Sequence, residues 1–267
     1  MFLTKKSVAK IITMGALYFV MGVASIVLGI SYANRGYDAS TMFTVGGIAL
    51  ALSPIFMLWG LYAEGKAKLA GRYNKLVREE MKPAEFIKEY EALVKSPDLV
   101  VNKPGSDVLV LLTIAYDCLG DRKSALRACD KAISAGNKKD KTRALLAKVS
   151  LLFSYDKKDE AERILAEVEK SKLDLISRGF IDMIRKDDRA MALGDYRGVV
   201  SYLLTRLEQK FPKLDNMSLL VLRHRLATAY EKLGETENAI TNYRFCVDLG
   251  GETEMNKSAK EALERLK

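Results

Sequence analysis

Histidine occurs once in the 267 residues, at His224, and cysteine three times, at Cys118, Cys129 and Cys246. A single histidine excludes a paired-histidine metal site and leaves little for a Ser–His–Asp or Cys–His arrangement. The cysteines form no CxxC pair and have no metal-ligand spacing. An odd count without a framework suits a reducing compartment, with all three as small core residues. A Gly-rich phosphate-binding loop is also missing, since Gly250-Gly251 falls where a helix ends. The expectation is a chain with no catalytic residues, no metal and no cofactor, and so not an enzyme.

Charge is absent from two long stretches, Ile11 to Ile30 and Ala39 to Ala63. Each meets the roughly 20 apolar residues needed to cross a hydrocarbon core. Neither has the charged face that a helix of a soluble bundle turns to water. The first stretch exceeds the roughly 7–15 residues of a secretory h-region, although Ser31-Tyr32-Ala33 resembles a cleavage site. Residues 1–63 are therefore read as a transmembrane hairpin with spans at about 11–30 and 41–63. Small residues offer its seam, Gly15, Gly22 and Gly29 on one span and Gly47 and Ala51 on the other. Pro54 is expected to bend the second span. Tyr32, Tyr37, Trp59 and Tyr62 fall where interfacial aromatics belong.

The net charge of +9 gathers at the edges of these stretches. Lys5, Lys6 and Lys10 precede the hairpin. Lys66, Lys68, Arg72, Lys75, Arg78 and Lys82 follow it, and the Ser31–Ser40 loop holds Arg35 as its only positive charge. The positive-inside rule then puts both termini in the cytoplasm, in an integral protein of a bacterial plasma membrane. Residues 64–82 read as a basic juxtamembrane helix continuing out of the second span, able to meet anionic lipid. No basic face is concentrated elsewhere as a nucleic-acid binder requires, so no nucleic-acid partner is expected.

From residue 83 onward one pattern recurs four times: Leu119-Gly120-Asp121-Arg122-Lys123-Ser124-Ala125, Tyr155-Asp156-Lys157-Lys158-Asp159-Glu160-Ala161, Leu193-Gly194-Asp195-Tyr196-Arg197-Gly198-Val199 and Leu233-Gly234-Glu235-Thr236-Glu237-Asn238-Ala239. Each copy separates two stretches of helical periodicity. A glycine ends the first helix by accepting a left-handed backbone, and the small residue five positions later lets the second helix pack closely on the first. Pro83 suits a first helical position. Phe86, Ile87, Tyr90, Leu93 and Val94 follow at helical spacing until Ser96-Pro97 stops the run. Ala259, Ala262, Leu263 and Leu266 form one face of a last, capping helix.

These residues resemble the tetratricopeptide repeat family over about Asp107 to Gly250. Leu226, Ala227, Tyr230, Gly234, Ala239, Tyr243 and Cys246 fall on the family's large-small-large-turn-small-large-small positions. Leu112, Thr113, Tyr116, Gly120, Ala125, Cys129 and Ala132 match nearly as well. In the second unit Asp156 replaces the turn glycine and Leu152 the aromatic, while Ala161 keeps the small position. In the third, Gly194 is kept, but Val199 stands where Ala is usual and Ala190 where an aromatic is usual. Pro212 lies near the family's terminal proline. The resemblance implies an all-α fold, with the hairpin followed by a tetratricopeptide-like α-solenoid over residues 83–267. It also implies a concave groove that takes a protein or peptide. The groove residues it implies are Val110, Ile114 and Asp117, then Leu146, Ser150 and Phe153, then His224, Thr228 and Glu231. Val110 and Ile114 stand where the chaperone-binding members carry Lys and Asn, which argues against a carboxylate clamp and for an apolar or mixed peptide. The implied function is a membrane-anchored protein-interaction scaffold. A regulatory subunit whose hairpin reports on the membrane to a bound enzyme is the alternative.

Overall fold

A computed structural model describes residues 5–95, 105–209 and 213–267, leaving out the side chains of residues 5–8, 10, 61, 62, 64 and 66. Ser96-Pro97, Pro212 and the side chains of Lys5, Lys6, Lys10, Tyr62 and Lys66 thus lie outside the described residues. Every described element is helical. The chain divides into two compact units, Met1–Arg72 and Tyr73–Lys267.

The first unit is an antiparallel pair, α1 (Lys5–Ala33) and α2 (Ser40–Asn74). Within it, Ile11–Ala33 and Ser40–Gly60 are long and apolar enough to cross a membrane. Their large side chains point outward: Leu17, Phe19, Val20 and Met21 on α1, and Ile55, Leu58 and Trp59 on α2, are all exposed. The seam is made of small residues. A Cβ on Gly22 would sit 3.0 Å from the Gly46 carbonyl oxygen, and one on Gly46 would sit 2.9 Å from the Gly22 carbonyl oxygen. Ser53 donates its hydroxyl to the Gly15 carbonyl at 2.8 Å, and Gly29 faces Met42 and Phe43. Gly15, Gly22 and Gly29 thus take the expected place. On α2 the expectation needs correcting: nothing approaches Gly47 and Ala51 is exposed, so Gly46 and Ser53 form the seam one helical step away. Pro54 lies inside α2, which continues to Asn74.

The second unit starts earlier than residue 83. Tyr73, Leu76, Val77 and Met81 are buried in it, and Tyr73 packs edge-on against Phe86 at 4.7 Å. The expected helix over 64–82 is therefore divided. Its first part belongs to α2, followed by a π-helical turn at Lys75–Glu79 and a left-handed Met81. Then come α3 (Pro83–Lys95) and four helix pairs: α4 (Ser106–Cys118) with α5 (Arg122–Ala135), α6 (Lys138–Ser154) with α7 (Lys158–Glu169), α8–α9 with α10 (Tyr196–Glu208), and α11 (Asn216–Lys232) with α12 (Thr236–Leu249). α13 (Glu254–Arg265) covers the end. In the third pair the first helix runs from α8 (Leu175–Met183) through a π-helical stretch, Ile184–Arg189, into α9 (Ala190–Leu193).

All four expected turns share one backbone geometry. Gly120, Asp156, Gly194 and Gly234 have φ of +75°, +60°, +84° and +76°. In each, the next amide donates to a carbonyl five residues back: Asp121 to Tyr116, Lys157 to Leu152, Asp195 to Ala190 and Glu235 to Tyr230, at 2.8–2.9 Å. This satisfies carbonyls that the helix end leaves free. Asp caps on α5, α8, α10 and α11 accept from the amides of Ser124, Ser177, Gly198 and Ser218, each worth about 1 kcal/mol. The small residue after each turn, Ala125, Ala161, Val199 or Ala239, is fully buried. Tyr230 is half-buried against Val199, Leu203, Leu226 and Ala229.

The array does not stay open from end to end. Segment 73–82 packs against both α4 and α11. Arg78 pairs with Asp215 at 3.2 Å, and the Asn216 amide donates to the Glu79 carbonyl at 2.7 Å. Cys118 of the first pair touches Met217 of the last, Sγ to Sδ, at 3.6 Å. First and last pairs thus meet.

Candidate functional site

Leu146 is fully buried and Phe153 is 6% exposed, both in one core cluster with Val149, Leu165 and Ile184. Neither is open to a partner, which corrects the expectation. The helical period places them near a groove position, but α7 and α8 close over them. Asp117 accepts the Tyr155 hydroxyl at 2.5 Å, while Arg122 lies over the Tyr155 ring at 5.0 Å. Burial pushes the Asp117 carboxyl above its ordinary value, opposed by the Tyr155 hydrogen bond and by Arg122 and Arg225. Val110, Ile114 and Ser150 are half-buried.

The fourth-pair residues face the chain's own last helix. His224 Nε2 lies 3.3 Å from the Ser258 hydroxyl, and its ring meets Tyr243 edge-on. Thr228 bonds back to the His224 carbonyl at 3.0 Å and lies 3.4 Å from the Tyr243 hydroxyl. Tyr243 donates to Glu231 at 2.8 Å, and Arg265 donates to the other oxygen at 2.6 Å. Burial holds His224 down at about 4, so it is neutral at neutral pH. Burial works against ionisation of Glu231, yet the bonds from Arg265 and Tyr243 hold it below its ordinary value. The three are tied up internally, which again departs from an open trough.

A second polar centre was not foreseen. The Arg225 guanidinium reaches Asp187 at 2.8 Å and Asp188 at 2.5 Å. Both carboxylates sit on the π-helical stretch and are buried, at 5% and 2% exposure. Burial raises Asp187 to about 6, against the attraction of Arg225 and with the repulsion of Asp188. The extra residue of a π turn brings two consecutive Asp side chains inward. The sequence signal was Asp187-Asp188 inside an otherwise helical run, with a basic residue on α11.

The cysteines are buried, and desolvation pushes each thiol up to about 12. No cluster of three metal-ligating side chains occurs among the described residues. One open cleft, of about 260 Å³, lies between α12 and α13. Ile240, Val247 and Leu263 give it apolar walls, and Arg244, Lys260, Lys267 and Glu264 also line it.

No protein-family model matches the chain, and no curated protein or solved structure does so either.

Proposed function

We propose that the chain is a membrane-anchored scaffold. α1 and α2 cross the bilayer as a hairpin with both termini cytoplasmic, and the tetratricopeptide-like unit recruits or assembles a protein partner. The observation that carries this reading is the hairpin's inside-out character. Its small residues meet at the seam and its large apolar residues face outward, the arrangement lipid favours and water penalises. The second unit is four helix pairs with one repeated turn, the architecture that displays extended binding surfaces. With the inner face engaged internally, the partner surface moves to the α12–α13 cleft. Three cations there against one carboxylate suit an apolar peptide bearing acidic residues.

A photo-crosslinking residue in place of Arg244, in the full chain in native membranes, should give a discrete protein adduct that Lys260→Glu weakens. The same residue placed at Ser201 should give none. Equal adducts at both positions, or none at either, would remove the cleft from the scaffold reading. A regulatory subunit coupled to the membrane is the second reading. It draws support from α2, which runs from the hairpin unit to the buried Tyr73 of the repeat unit.

A further inference from the structure

Helix α8 turns the wrong kind of face outward. Its buried residues are Ser177 and Ile181. The opposite side carries Leu175 at 83% exposure, Ile176 at 54% and Phe180 at 41%. A helix on the surface of a soluble domain shows water its polar side. The connection into α8 carries Lys170 and Lys172, and the helix itself carries Arg178, all exposed. Among the described residues none of the three makes an ion pair, Arg178 donating only to the Leu173 carbonyl, whereas the nearby Arg185 and Lys186 pair with Glu169 and Asp182. Asp174, the nearest carboxylate at the helix start, is taken up by Lys139, Arg143 and the Ser177 amide. Exposed large apolar side chains with unneutralised cations beside them make up the composition of an interfacial membrane helix.

We infer that the outward face of α8 docks on an anionic lipid surface, with Leu175, Ile176 and Phe180 in the headgroup–acyl boundary and Lys170, Lys172 and Arg178 on lipid phosphates. The inference rests on the reading of α1 and α2 as membrane spans. An anchored chain holds α8 at high effective concentration near the bilayer, so a short apolar face with a few cations is sufficient where an untethered protein would need a second anchor. Charge complementarity favours lipid over a second copy, because the face of a second copy would bring the same cations together.

The test uses the full chain with one cysteine introduced at a time, Ile176→Cys, Leu28→Cys or Asn238→Cys, each labelled with bimane; the native thiols are buried. The protein is reconstituted in vesicles of phosphatidylcholine with phosphatidylglycerol, with and without brominated acyl chains. Bromolipid should remove about half of the emission at position 176, as at position 28 inside the hairpin, and leave position 238 unchanged. Pure phosphatidylcholine, or Lys170→Glu with Lys172→Glu, should restore emission at 176 without altering position 28. Quenching at 28 with none at 176 overturns the docking of α8 and leaves the anchor standing. Crosslinking between two copies through position 176 also overturns it, in favour of a dimer. Absence of quenching at both positions overturns the anchor and the docking together.

Discussion

Replacing Asp187 by Asn tests the buried charge cluster most directly. Asp187 and Asp188 share one guanidinium, so among the described residues the second negative charge has no cation of its own. The folded chain binds a proton at Asp187 near pH 6, and the unfolded chain near 3.8. A folded pKa above the unfolded one means that stability is fully present below the unfolded pKa and is lost as pH rises through the folded pKa. The gap of roughly 2 units corresponds to up to about 3 kcal/mol at alkaline pH. Asn keeps the shape and never ionises, and it leaves Arg225 and Asp188 as a one-to-one pair. Asp187→Asn should therefore be more stable than the parent by up to about 3 kcal/mol near pH 8, with the difference shrinking toward zero near pH 4.

The difference between the two proteins is the quantity to measure, because His224 acts in the opposite sense in the same range. Its folded pKa of about 4 lies below the ordinary 6.5, so its contribution is lost as pH falls. The parent's own pH profile mixes the two slopes, whereas the parent–variant difference isolates Asp187. Urea denaturation of the full chain in mild detergent, followed by far-UV ellipticity across that range, gives the difference directly. A variant less stable than the parent at every pH would show that Asp187 is ionised and well paired in the fold, and would refute the reasoning.

Other outcomes follow from single contacts. His224→Gln should gain stability relative to the parent as pH falls from about 7 to about 4, in the same denaturation assay, because a neutral side chain avoids charging a buried imidazole. Gly234 has φ +76° with nothing near its absent side chain, so Gly234→Ala should cost about 1–2 kcal/mol for conformation alone. Ala239→Leu should cost on the order of 1–3 kcal/mol by overpacking a fully buried site. Asn238→Leu, one exposed residue away, should stay within about 0.5 kcal/mol, and equal unfolding midpoints for these two would refute the repeat register. In intact cells a membrane-impermeant thiol reagent should label Asn34→Cys and spare Lys82→Cys if the repeat unit is cytoplasmic; the reverse pattern would invert the topology.

Features set by near neighbours in sequence were legible. The left-handed turns at Gly120, Gly194 and Gly234 follow from a residue type that accepts positive φ, and Asp156 holds the same conformation without being glycine. Burial of Ala125, Ala161 and Ala239 follows from their fixed distance after those turns. The hairpin seam was half legible. Gly22 was found by its spacing, but its true opposite, Gly46, stands beside an equally small Gly47, and periodicity cannot choose between adjacent glycines on a helix that is apolar all round.

The groove failed for a different reason. Spacing within a repeat fixes how each helix meets the next, but the curvature of a stack is the sum of small rotations between pairs. Two features here alter those rotations. The π-helical stretch at Ile184–Arg189 shifts the face that the third pair turns inward, so Asp187 and Asp188 meet Arg225 where an open trough was expected. The segment 73–82, read as part of a basic juxtamembrane helix continuing out of the second span, instead buries Leu76 and Val77 and packs on the first and last pairs. Lys75 and Arg78 flank Leu76 and Val77 along a turn that is neither a regular helix nor a strand, so a count of charge could not reveal its buried side. The outcome is a set of helix pairs in which Leu146, Phe153, His224 and Glu231 are engaged by the chain's own residues, while Val110, Ile114 and Ser150 stay half-buried. On the scaffold reading a protein partner is then sought at the α12–α13 cleft, and lipid at the outward face of α8.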